Sequence, residues 1–164
     1  TLISWQSSIE KTTGPSCLIL SRQSMPQLDF SCTETRNLKK GGYILKNVEN
    51  PIACIIATGS EVSLALEIAS VLKKEDLAIR VVSMPCSSVF DRQNESYKKT
   101  VLPENIKKIS IEAGSTDLWY KYTGREGLTI GINQFGASAP AEILFRELKL
   151  DLESCLTKIR SFLR

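Results

Sequence analysis

Apolar positions along this chain change period repeatedly, from short continuous runs to stripes at helical spacing. Ala53 to Ala57 is a continuous run rich in β-branched residues, suited to a strand covered on both faces. From Val62 the apolar residues fall at 62, 65, 66, 69 and 72, with Leu64, Ile68 and Val71 widening the stripe, which predicts a helix over 61–75. The alternation then continues. A strand is expected at 78–84, a polar helical segment near 91–99 and a strand at 107–113. A short helix at 115–124 is ended by Gly124, and a last strand follows at 127–133. A helix at 139–148 carries Pro140 in its first turn, where the missing amide costs nothing. Asp151 caps a final helix whose stripe is Leu152, Leu156, Ile159 and Phe162 or Leu163. Gly41-Gly42 opens one more short strand, closed by Asn50-Pro51 and expected to hairpin antiparallel onto 53–58. Strands alternating with helices imply an α/β fold. The expected architecture is a mostly parallel five-stranded sheet with one antiparallel strand and helices on both faces.

The start of the chain does not fit this alternation. Leu2, Trp5 and Ile9 mark an amphipathic helix, Gly14-Pro15 breaks it, and "SCLILS" reads as a buried strand. A helix with a lone strand cannot bury itself, so residues 1–23 read as the tail of a preceding domain. Residues 24–40 are polar and aperiodic, which suits a linker, and 41–164 form the α/β domain. The sequence opens without Met inside a helical pattern and is expected to be a piece of a longer protein.

Composition excludes more than it selects. A hydrophobic content of 42% with 24% charged residues allows a packed core and excludes wholesale disorder. The net charge of +3 is scattered rather than striped, so no nucleic-acid partner is expected. No apolar run approaches a membrane span, so no membrane partner is expected either. The chain has no histidine, which removes Ser-His and Cys-His pairs and imidazole-ligated metals from consideration. The five cysteines show no C-x-x-C spacing and suit a reducing, cytoplasmic compartment. Cys86, after "SMP", is the most plausible reactive thiol, though no cation stands beside it in sequence.

Candidate chemistry gathers where strands end, because open α/β sheets bind ligands at their carboxyl ends. Those turns are Thr58-Gly59-Ser60, Pro85 to Ser88, Glu112 to Thr116 and Gln134 to Ser138. Thr58 stands at capping-box spacing from Glu61, so the Gly59 turn reads as a capped helix. The same helix N-terminus, with Gly59 and Ser60, is also a candidate anion site. Glu112 with Asp117 is a paired-carboxylate candidate, against a reading in which Ser115 or Thr116 simply caps a helix. Trp119, Tyr120 and Tyr122 are either core and interface aromatics or a stacking surface. Ser138 lacks a nucleophile-elbow context and reads as a helix cap. Arg22 follows the "LILS" run directly, so its planar fork projects from a strand's carboxyl end, toward either a phosphate or a salt-bridge partner.

Seven short stretches, "LILSRQ", "GGYIL", "ATGSEVSLA", "RVVSMP", "VLP", "EAG…WYKY" and "FGASAPAE", resemble transketolase in order and spacing. The resemblance implies that the intact enzyme transfers a two-carbon ketol group between sugar phosphates in the pentose phosphate pathway. Its cofactors would be thiamine diphosphate and Mg (or Ca), held elsewhere in the subunit, and this piece would bind none. Residues 1–23 would be the tail of the pyrimidine-binding middle domain and 41–164 the C-terminal α/β domain. The implied partners are the rest of the subunit, a second subunit in a homodimer and the sugar phosphate substrates. Arg22 matches the arginine of "LSRQ" that grips the sugar-phosphate group, and no catalytic or metal-binding residue would lie in this piece. The rival is a regulatory module binding a nucleotide or phosphometabolite at the strand-end turns.

Overall fold

The computed structural model describes residues 1–21, 24–26 and 37–164. Its centre is a five-stranded sheet in the order β1-β3-β2-β4-β5. The strands are β1 (Tyr43–Lys46), β2 (Ala53–Ala57), β3 (Ile79–Ser83), β4 (Lys107–Ile111) and β5 (Leu128–Ile130). β2 pairs in parallel with β3, Ala53 opposite Ile79, and with β4, Ala53 opposite Lys107. β5 continues the parallel set beyond β4, and β1 runs antiparallel at the other edge.

Side-chain alternation along β2 sorts the core into two layers, because successive residues point to opposite faces. Ala53, Ile55 and Ala57 face one cluster with Ile68 and Leu72 of α2 (Glu61–Lys73) and Leu156 and Ile159 of α7 (Leu152–Leu163). Cys54 and Ile56 face the other. It contains Phe90 of α3 (Ser87–Asp91), Val101 of α4 (Glu95–Val101) and Tyr122 of α5 (Tyr120–Thr123), with Trp119 from the 3-10 turn preceding α5. β2 is buried along its whole length, which explains why its sequence is a continuous apolar run rather than an alternating one. α7 follows its predicted stripe, and Asp151 caps it by accepting a hydrogen bond from the Ser154 amide at 3.1 Å. The remaining helices are α1 (Leu2–Glu10) and α6 (Ala141–Glu147).

Several expectations need correction. β1 does not hairpin onto 53–58; it pairs with β3, Tyr43 opposite Ser83. β2 already has parallel partners on both sides, and β1, buried only at Tyr43, suits an edge. The connection over 47–52 need cross only two strand spacings, about 10 Å. The single helix near 91–99 is two short ones. Asn94 restarts the chain as α4 by accepting from the Tyr97 amide at 2.8 Å. Thr58 forms no capping box: Ser60 occupies the cap position of α2 in a helical conformation, without a side-chain cap bond. Pro140, not Ser138, precedes α6. Residues 16–21 form no strand; Ile19 is 92% exposed and Leu20 61%. They have no strand partner among the described residues, so the apolar run that looked buried in sequence has nothing to cover it.

Candidate functional site

The strand order reverses direction on either side of β2, so the fold's natural crevice lies at the carboxyl ends of β2 and β4. Two turns border it. After β2, Gly59 takes φ +54°, and the α2 backbone begins with Glu61 N–H donating to the Thr58 carbonyl at 3.2 Å. Ser60 Oγ donates to Glu61 Oε1 at 2.7 Å, and Glu61 is only 5% exposed. A buried carboxylate at the helix N-terminus is itself the negative charge that the dipole favours. The geometry at Gly59 and Ser60 therefore gives an added anion a like-charged neighbour, and nothing in it favours the regulatory-ligand reading.

After β4, Glu112 Oε2 accepts from Trp119 Nε1. Asp117 is exposed, and its amide donates to Ser115 Oγ at 3.3 Å. The two carboxylates thus have separate structural partners, and Ser115 supplies the helix-start contact. Asn133 ties the end of β5 back to this turn. Its Oδ1 accepts from the Thr116 amide at 3.0 Å, and its Nδ2 donates to Thr116 Oγ1 at 2.9 Å. The Ile132 amide donates to the Gly114 carbonyl at 2.8 Å. This close approach requires a glycine at 131, where a β-carbon would stand 2.6 Å from the Gly114 oxygen. Sequence reasoning missed the Asn133–Thr116 clasp; Gly114 and Gly131, each at a strand end, were the available signal.

A second polar group lies on the α3 and α5 side. Asp91 accepts from Lys121 Nζ at 2.7 Å and from Tyr122 OH at 2.9 Å. Burial works to raise the Asp91 pKa, but the hydrogen bonds from Lys121 and Tyr122 outweigh it and hold it below the usual carboxylate value. Burial, assisted by Asp91, pushes the Tyr122 hydroxyl up to about 12. Trp119 and Tyr122 are core aromatics, with ring centroids 6.0 Å apart, while Tyr120 is half exposed. Cys86 is exposed, its Sγ 3.4 Å from Ser88 Oγ. Arg22 lies outside the described residues.

The larger surface depression sits at the opposite, amino end of the strands, between Ile52, Arg80, Ile106, Lys107 and Leu163. Lys107 there is engaged by the Phe162 carbonyl at 2.7 Å, capping the end of α7. Among the described residues no group of three or more His, Cys, Asp or Glu is placed to hold a metal ion, and no helix is long and apolar enough to cross a membrane.

A family model described as the transketolase-like TK C-terminal domain matches residues 41–151. The chain belongs to the transketolase family. It is 43% identical over 166 residues to transketolase 1 of Pasteurella multocida, covering 98% of this chain and 25% of that protein. It is 46% identical over 163 residues to transketolase 2 of Aliivibrio fischeri, again covering 98% of this chain and 25% of the relative. Among solved structures, Pichia stipitis transketolase in complex with sedoheptulose-7-phosphate superposes with a TM-score of 0.89 at 38% identity, covering 98% of this chain and 23% of that one. The chain thus spans about a quarter of the length of the transketolases it matches. The resemblance drawn from seven short motifs extends over nearly the whole chain.

Proposed function

We propose that this chain works as the C-terminal part of a transketolase subunit, which moves a two-carbon ketol group between sugar phosphates. One observation carries this reading: the match to transketolases runs through both the sheet and the exposed segment before it, 98% of the chain in all. In this reading residues 1–23 end the pyrimidine-binding domain, 24–40 link it onward and 41–164 are the C-terminal domain. The intact subunit acts as a homodimer in the cytoplasm, in the pentose phosphate pathway.

Thiamine diphosphate and its Mg or Ca ion supply the carbanion chemistry when bound. The described residues of this chain do not by themselves fit a metal-bound diphosphate, and no step is assigned to them through it. The role proposed within this chain is Arg22, a guanidinium fork on the substrate phosphate. Phosphate binding far from the reacting carbonyl can be used to orient substrate and lower the barrier without touching the chemistry. The exposed apolar residues of α1, Leu2 at 83% and Ile9 at 78%, support a segment that packs against other parts of the subunit.

The test is an exchange. This chain replaces the matching quarter of the Pasteurella multocida enzyme, and turnover is measured with ketose and aldose phosphates. The chimera is expected to be active and its Arg22→Ala variant to lose selectivity for phosphorylated over unphosphorylated sugars. The isolated chain, supplied with thiamine diphosphate and Mg, is expected to show no turnover. An inactive chimera beside an active parent would overturn the assignment.

A further inference from the structure

The Gly59 turn remains without a role once it is not an anion site, and its surroundings point to one. Gly41, Gly42, Gly127 and Gly131 are glycines because backbone or core atoms crowd them; Gly59 is exposed and uncrowded. A β-carbon at Gly59 would have a single non-neighbouring contact within 4 Å among the described residues, Ser21 Oγ at 3.9 Å. Ser21 ends the extended segment 15–21 and immediately precedes Arg22 in sequence. That segment has no strand ladder among the described residues to fix its path, so its few contacts with the α/β domain matter to where it runs.

We propose that the Gly59 turn is a positioning element for the phosphate-gripping arm: its left-handed backbone presents a side-chain-free surface on which Ser21 rests, fixing the residue before Arg22. The inference rests on the phosphate role given to Arg22 above. It explains a glycine that neither core packing nor ligand binding explains. An L-residue at φ +54° is strained, most of all a β-branched one, whose methyls also reach toward Ser21. Either response, a re-formed turn or a displaced Ser21, moves the arm. A displacement on the order of 1 Å at a positioning contact can cost up to about a hundredfold in rate or affinity.

The experiment uses the active full-length chimera carrying Gly59→Val and Gly59→Asn, with Ser21→Val and the Ser21→Val/Gly59→Val double variant. Michaelis constants are measured for a sugar phosphate and for its unphosphorylated counterpart. Gly59→Val should raise KM for the sugar phosphate about tenfold, leave kcat within about twofold and leave the unphosphorylated sugar unchanged. Gly59→Asn, which tolerates the left-handed region, should retain most of the wild-type selectivity. Ser21 is exposed, so Ser21→Val keeps the protein folded and probes the contact from the other side even if Gly59→Val does not accumulate. Non-additive effects in the double variant support the contact. Equal losses on both sugars, or strict additivity, overturn the proposal. If Arg22→Ala leaves phosphate selectivity intact, the phosphate reading itself fails and this inference fails with it. A selective effect of Arg22→Ala with none at Gly59 or Ser21 refutes the positioning role alone.

Discussion

Two hydroxyls on the same layer of the core should respond to removal with opposite signs. Ser110 sits in the middle of β4, fully buried, opposite Ile56 of β2 and Thr129 of β5. Among the described residues its Oγ has no hydrogen-bond partner. Thr123, 6% exposed at the end of α5, donates its hydroxyl to the Trp119 carbonyl at 3.1 Å. Burying an unpaired hydroxyl costs roughly 1–3 kcal/mol, whereas a paired one contributes about 1 kcal/mol net. Ser110→Ala removes the unpaired group and leaves only the space of one oxygen, a penalty of a few tenths of a kcal/mol at about 24 cal/mol per Å³. The expected result is a gain of about 1 kcal/mol, or roughly 2–4 °C in Tm for a chain of this size. Thr123→Val keeps the shape, loses the bond to the carbonyl and should lower Tm by a similar amount. Differential scanning calorimetry of the isolated chain at neutral pH reads both. Equal falls in Tm for the two variants would show that Ser110 is satisfied in solution, and the reasoning from its isolation would be wrong.

Further outcomes follow from other contacts. Gly41→Ala should destabilise the chain by more than about 3 kcal/mol, because φ is +81° and the new β-carbon meets the Cys86 oxygen at 2.4 Å; urea denaturation measures this. Asp91 has a pKa lowered in the fold, so its stabilising contribution is present above the unfolded carboxylate value near 3.9 and is lost as pH falls through the folded value. Asp91→Asn should therefore flatten part of the acid limb of Tm against pH and change little of its slope above pH 5, as a thermal melt series would show. Buried Cys54 and Cys155, each pushed up to about 11 by burial, should resist alkylation at pH 8 until the chain unfolds, while exposed Cys17 and Cys86 react at once; peptide mass mapping distinguishes them.

The sheet and its helices were legible because their signals are local. β2 shows as an unbroken apolar run, α2 and α7 as stripes, and Asp151 as a cap whose partner lies three residues away. Pairing order was not legible. The antiparallel edge depends on which strand needs covering, and that is settled by β2 acquiring two parallel neighbours far along the chain. The "LILS" run failed for the opposite reason. Its apolarity specifies burial but not the surface that provides it, and no described strand of this chain does so. At the candidate site, the Asn133–Thr116 clasp joins residues distant in sequence and carries no periodic signal. The charge that disfavours an anion at Gly59 was visible as Glu61; its burial was not.

The place of β1 also bears on how this domain acquires its structure during synthesis. β1 leaves the ribosome before the rest of the sheet, yet its only ladder is to β3, with Tyr43 opposite Ser83. Until α2 and β3 have emerged, β1 has no edge to join, and β2 lacks both of its neighbours. Nascent chains arrested before residue 79 should remain protease-sensitive from β1 onward. Protection should come only once β3 is clear of the exit tunnel, and fully once β4 supplies the second flank of β2. The edge strand made first is thus seated late, and its Gly41-Gly42 lead-in must stay unpaired through that interval.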